Sequence, residues 1–166
     1  MGIKSFKGGV HPPERKAVLS SDDVVRVLPS NKSVWIPITQ GGMPNTPLVS
    51  VGDLVARGQK IAETDKFMSA PVHSSVSGKV KKIEPHLVTG NTENLCFLIE
   101  IDEENREEFM PPLDPFTCTK EEALKRVRDA GITGMGGASF PTHVKLSPPP
   151  DAKIEYVIAN GAECEP

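Results

Sequence analysis

The run Gly134-Met135-Gly136-Gly137-Ala138-Ser139 leads into Phe140-Pro141-Thr142-His143-Val144-Lys145. Glycines at 134, 136 and 137 let backbone N–H groups come close to a phosphate, and Lys145 follows near enough to add a point charge. A helix opening at Pro141 and Thr142, with Pro141 in its first turn, would add a positive dipole end. Two nucleotide fingerprints are excluded. Gly134-x-Gly136-x-x-Ser139 lacks the third glycine of the dinucleotide motif and follows a predicted helix, and no Gly-Lys-Ser/Thr follows the glycines as in a P-loop. The same spacing suits a tight turn between two helices, and spacing alone leaves the two readings level. A second group, Asn160, Glu163 and Glu165, follows the apolar run 154–159. That is the strand end at which open α/β sheets hold ligands; its carboxylates could hold ribose hydroxyls or be surface acids.

Other reactive side chains are sparser. Three cysteines (Cys96, Cys118, Cys164) with no C-x-x-C pair exclude a four-thiolate site in this chain, and a reducing, cytosolic compartment fits them. Cys96 lies in an apolar strand and reads as a core residue. His11, His73, His86 and His143 show no ligand spacing and read as surface or satisfied histidines. No catalytic residue and no metal ligand is assigned.

The elements that must position these groups change type along the chain. Short apolar segments at 34–38, 48–51, 54–55, 61–62, 70–72, 79–83 and 95–101, separated by glycine turns, predict a small closed or sandwich β domain. Val80 and Ile83 both read as inward-facing, which strict alternation does not allow. The acidic stretch 102–108 reads as a solvated face and Pro111, Pro112 and Pro115 as a stiff linker. Thr119 and Glu122 form a capping box for a helix whose apolar face is Ala123, Leu124, Val127 and Ala130, with Gly131 at its C′ position. A further helix is predicted through 142–146, and a buried strand over 154–159. The boundaries are 1–110 for the β domain, 111–118 for the linker and 119–166 for the start of an α/β domain.

Composition bounds the alternatives. The 166 residues include 14 glycines and 16 prolines, roughly 18% against an average near 12%, which excludes a mostly helical bundle. Eight aromatics and 37% hydrophobic residues allow only a lean core. A net charge of −3 makes no field for nucleic acid, and apolar runs such as 95–99 are far too short to span a membrane. The start, Met1-Gly2-Ile3-Lys4-Ser5-Phe6, has neither a signal-peptide core nor a myristoylation pattern.

Taken together, 131–146 and 157–166 resemble the flavin- and NADH-binding segment of the complex I flavoprotein subunit. Gly9-Val10-His11-Pro12-Pro13, Gln40-Gly41-Gly42-Met43-Pro44, Val51-Gly52-Asp53-Leu54-Val55-Ala56-Arg57-Gly58-Gln59-Lys60-Ile61 and Ser69-Ala70-Pro71-Val72-His73-Ser74-Ser75-Val76-Ser77-Gly78 are similar to the C subunit of Rnf electron-transport complexes. The resemblance covers nearly the whole chain. It implies an α+β protein: an all-β barrel-sandwich hybrid (biotinyl/lipoyl-like) domain, then the truncated start of an α/β FMN/NADH-binding domain. It further implies that Gly134, Gly136, Gly137 and Lys145 cradle the FMN phosphate and ribityl chain. Phe140 would stack on the nicotinamide nucleotide, and Asn160, Glu163 and Glu165 would line the pocket. The implied setting is a peripheral subunit on the cytoplasmic side of the cell membrane, partnered by membrane and soluble subunits. Electrons would pass between NADH, flavin and 4Fe-4S carriers, coupled to ion movement, with the clusters only in a C-terminal part absent from this sequence. The chain reads as an N-terminal fragment, inactive by itself. It departs from the patterns at Met135 (usually Arg), Ala162 (usually an acid) and Gly41-Gly42 (usually a single His after Gln). A rival implication comes from Glu63-Thr64-Asp65-Lys66, which resembles the lipoyl-bearing tip of carrier domains; the other alternative is a non-catalytic assembly module.

Overall fold

The structure, a computed structural model, describes residues 30–136 and 138–158. One compact unit spans Pro29–Ala152, and residues 153–158 belong to a separate unit.

Within the first unit the seven strands are β1 (Ser33–Pro37), β2 (Thr46–Pro47), β3 (Leu54–Val55), β4 (Lys60–Glu63), β5 (Val72–His73), β6 (Gly78–Val88) and β7 (Thr92–Ile101). They form two antiparallel sheets, β1-β7-β6-β3 and β2-β4-β5. Residues of both sheets and of their connections meet in one core of Ile36, Ile38, Val55, Ile61, Ala62, Val72, Val76, Val80, Phe97 and Ile99. Phe97, Ile99, Ile61 and Val80 are completely buried. This is the barrel-sandwich hybrid expected for the front of the chain.

The irregular pattern around Val80 and Ile83 has a physical cause. The β6–β7 register slips by one residue between Val80 and Lys82, a β-bulge. The extra residue resets the parity of the strand, so side chains three apart share the inner face. Ile83 accordingly packs against the same core as Val80.

The strands depart most from the sequence reading in three places, and β7 also starts at Thr92 rather than Leu95. β6 runs on to Val88, five residues beyond the predicted end, and pairs with β7 as far as Val88↔Thr92. Its outer half carries Glu84, Pro85 and His86, which obscure a strand signal. Pro85 is tolerated because β3 pairs only with Gly78 and Lys79, leaving the other edge of β6 free at that point. The expected strand 48–51 is not formed; Thr46–Pro47 pairs with β4 instead. The expected strand over 154–159 is also absent from its described part. Ile154, Tyr156, Val157 and Ile158 are exposed and irregular, because an apolar run becomes a strand only where a neighbour takes up its N–H and C=O groups.

The acidic stretch is exposed as expected, yet it also docks. Arg106 pairs with Asp102 and Glu104, and Arg57 pairs with Glu107 beside a short parallel bridge. Helix α1 (Lys120–Asp129) opens on the expected capping box, Glu122 N–H donating to Thr119 Oγ1 at 3.2 Å. It ends in a double cap: Gly131 N–H reaches Arg128 O at 2.8 Å and Ile132 N–H reaches Val127 O at 3.3 Å. Gly131 sits at φ +67°, the left-handed conformation this ending requires.

Truncating Phe97 to Ala should cost about 3–5 kcal/mol in urea denaturation. Leu87→Ala, on the exposed half of the hairpin, should stay within about 0.5 kcal/mol. Similar losses at both positions would contradict this placement of the core.

Candidate functional site

The glycine run forms a loop with a closed neck. Thr133 and Pro141 make an antiparallel bridge, Gly134 N–H donates to Phe140 O at 2.9 Å, and Thr142 N–H donates to Ile132 O at 3.0 Å. Across the turn, Ser139 N–H reaches Gly136 O at 3.3 Å, with Ser139 itself at φ +45°. The loop is open at its far end. A Cβ at Gly136 would meet nothing within 4 Å, and the Met135 side chain is wholly exposed. Phe140 is 38% exposed. Lys145 is exposed on α2 (Thr142–Lys145).

That helix is a single turn, shorter than expected, and the buried Pro141 stands at its N-cap rather than inside it. So few aligned peptides make a weak dipole. Gly137, Asn160, Glu163 and Glu165 lie outside the described residues, so the two expected halves of the site are not seen together.

The contacts that hold the loop were not read from the sequence. Its base rests on the β4–β5 connection of the barrel. His143, 3% exposed, uses Nε2 to bond Phe67 O at 2.8 Å, and its ring meets Phe67 edge to face at 5.4 Å. Its Nδ1 has no partner among the described residues. Arg128 donates to Thr64 O at 2.6 Å. Gln40 Nε2 donates to Pro71 O at 2.6 Å and to Gly131 O at 2.7 Å. Gly41 and Gly42 lie in the seam, where any Cβ would collide with Ser139 O and Met68 O respectively. The sequence signal was the Gln-Gly-Gly triplet, legible as a motif though silent about its contact 91 residues away.

Lys66 is exposed on that same connection, its carbonyl accepting from Ser69 Oγ at 2.6 Å. The connection is not a free hairpin tip. Thr64 O and Phe67 O, on either side of Lys66, are held by α1 and α2.

A separate cavity of about 540 Å³ lies between β4, β5, α1 and the strap around Phe109. Lys60, His73 and Asp129 line it with Phe109, Met110 and Ala130. Burial, then the nearby Lys60 charge, pushes the His73 ring below its ordinary value, against a hydrogen bond to the Asp129 backbone and the charges of Glu63 and Asp129. For Asp129, partial burial pushes upward. The Lys125 hydrogen bond and charge, with Lys60 and Arg128, outweigh it and hold the carboxyl low. Cys96 is fully buried as expected, and burial raises its thiol above the ordinary value.

Two family models match the chain that carries this geometry. Residues 4–104 match the RnfC barrel sandwich hybrid domain and residues 127–166 the Nuo51 FMN-binding domain. The chain belongs to the RnfC family. It is 43% identical to the C subunit of the proton-translocating ferredoxin:NAD(+) oxidoreductase complex of Clostridium ljungdahlii, over 99% of this chain and 36% of that protein. It is 41% identical to the C subunit of the Na(+)-translocating ferredoxin:NAD(+) oxidoreductase complex of Acetobacterium woodii, over 100% of this chain and 38% of that one. The C subunit of the ion-translocating oxidoreductase complex of Pasteurella multocida is 39% identical over 97% of this chain and 20% of its own length. The chain thus spans well under half the length of these curated relatives. Among the described residues, no helix is long and apolar enough to cross a membrane.

His73 gives this region a pH dependence. Unfolded, the ring takes up a proton near 6.5; folded, only at lower pH. Stability should therefore fall as pH drops from about 6.5 through the folded value and level off below it. In urea midpoints measured across that window, His73→Gln should flatten this part of the profile; parallel profiles would contradict it.

Proposed function

We propose that this chain is the amino-terminal part of an electron-entry subunit in a membrane-bound, ion-translocating oxidoreductase complex. Residues 1–110 would be its barrel, 111–118 a linker, and 119–166 the start of its FMN- and NADH-binding domain. The observation that carries the reading is the loop 134–140, closed at its neck and open at Gly136, inside the segment that matches an FMN-binding domain. The open space at Gly136 and the exposed Lys145 suit a phosphate-bearing cofactor approaching the backbone.

Bound FMN would supply the exchange between two-electron nicotinamide and one-electron carriers; the protein positions and polarises it. Gly136 and Gly137 would present N–H groups to its phosphate and ribityl chain, with Lys145 adding a positive charge; Gly134, expected to do the same, has its N–H on Phe140 O and would instead close the neck and let the cofactor approach its backbone. Phe140, partly exposed beside the neck, would stack on the nicotinamide nucleotide. Asn160, Glu163 and Glu165 would line the remaining wall. The electrons would pass to 4Fe-4S carriers in the further length of the protein and then to partner subunits, with the protein held peripherally on the cytoplasmic side. The relatives' names, which join ferredoxin, NAD(+) and ion translocation, support this setting.

The full-length protein that includes this sequence should bind FMN with its yellow absorbance, and a protein that stays colourless on FMN addition would sink the reading. Lys145→Ala should weaken FMN about tenfold or more, the value of a charge-assisted contact, while riboflavin, which has no phosphate, should bind both proteins alike. Equal loss for both ligands would place Lys145 away from the phosphate.

A further inference from the structure

The glycine loop does not stand by itself: its placement is set by the barrel. The neck at Ile132, Thr133, Phe140, Pro141 and Thr142 continues directly from Gly131. The Gly131 carbonyl is one of two that Gln40 holds; the other, Pro71 O, belongs to the barrel. One side-chain amide thus uses both its N–H groups to tie the end of α1 to the β4–β5 connection. The tie is short and directional, 2.6 and 2.7 Å, so a shift of one carbonyl is felt by the other. Beside it the backbones approach too closely for any side chain, with Gly41 under Ser139 O and Gly42 under Met68 O. Met43 N–H closes the far side on Met68 O at 2.6 Å. His143 adds the last tie, from the turn just beyond the loop to Phe67 O.

We propose that Gln40 is a positioning residue for the FMN-binding loop, coupling the barrel's 64–71 connection to occupancy of that loop. The proposal rests on the FMN reading above. Gln40 touches no cofactor atom; it acts by fixing where the neck of the loop begins. Coupling of this kind is reciprocal: if the 64–71 connection favours the binding geometry, bound FMN must stabilise that connection by the same factor. A carrier-type tip would have its carbonyls in water and show no such response.

The test uses the full-length protein, with FMN affinity from flavin fluorescence and amide hydrogen exchange read with and without FMN. In the unmodified protein FMN should slow exchange both in 131–142 and in the peptides covering 40–45 and 64–71. Gln40→Met, which keeps the length and loses both donors, should weaken FMN about tenfold and abolish the protection at 64–71. Gln40→Glu, which sets an acceptor against two carbonyls, should weaken it further. Unchanged affinity in Gln40→Met overturns the proposal. So does faster exchange throughout the barrel with unchanged affinity, which would make Gln40 structural only. Should the variants fail to fold, the unmodified protein still decides: FMN binding without protection at 64–71 overturns the coupling alone. No FMN binding at all overturns the FMN reading with it.

Discussion

Backbone carbonyls of a connection between strands must find donors, and in this protein several of those in the β4–β5 connection find them in distant segments of the chain. Thr64 O takes Arg128, Phe67 O takes His143, Met68 O takes Met43 N–H and Pro71 O takes Gln40. In a carrier domain such a tip would be hydrated and mobile. Leaving a buried carbonyl such as that of Pro71 without a donor costs about 1–3 kcal/mol. The connection, α1 and the glycine loop are therefore most stable together, and the barrel serves as the bench on which the loop is mounted.

The barrel can do this because its own core is independent of the loop. Both sheets turn β-branched and aromatic side chains inward around Phe97, and the bulge at Lys81 keeps Val80 and Ile83 on that face. The long β6–β7 hairpin carries the pairing well past the core into solvent. At its base, Asp102 accepts from Ser77 Oγ at 2.6 Å and pairs with Arg106, so the chain leaves the sheet in a defined direction. The acidic strap then runs over Arg57 and reaches the edge of the cavity that holds His73.

Polarity is distributed unevenly across these parts. The glycine loop exposes backbone at Gly136, with the Met135 side chain wholly exposed and Phe140 partly so, and Lys145 is exposed on α2. The cavity under the strap instead gathers opposite charges, Lys60 lying 2.9 Å from Glu63 and 4.0 Å from Asp129. Charges already paired in this way have little left to offer a ligand.

Much of the fold could be read from local chemistry. The capping box at Thr119 and Glu122, the Gly131 ending, the buried Cys96 and the β character of the front half all follow from what one residue asks of its near neighbours. The glycine loop was legible as a turn for the same reason, since closely spaced glycines between two helical patterns interrupt both. The outer half of β6, the absence of a strand at 154–158 and the docking of Lys66's connection were not legible. Each depends on whether a backbone partner is present, and partners come from residues far along the chain. Local pattern determined which segments could be strand, helix or glycine-rich turn. Only tertiary structure decided that Gln40 meets Gly131, because a hydrogen bond across 91 residues leaves no periodicity to read.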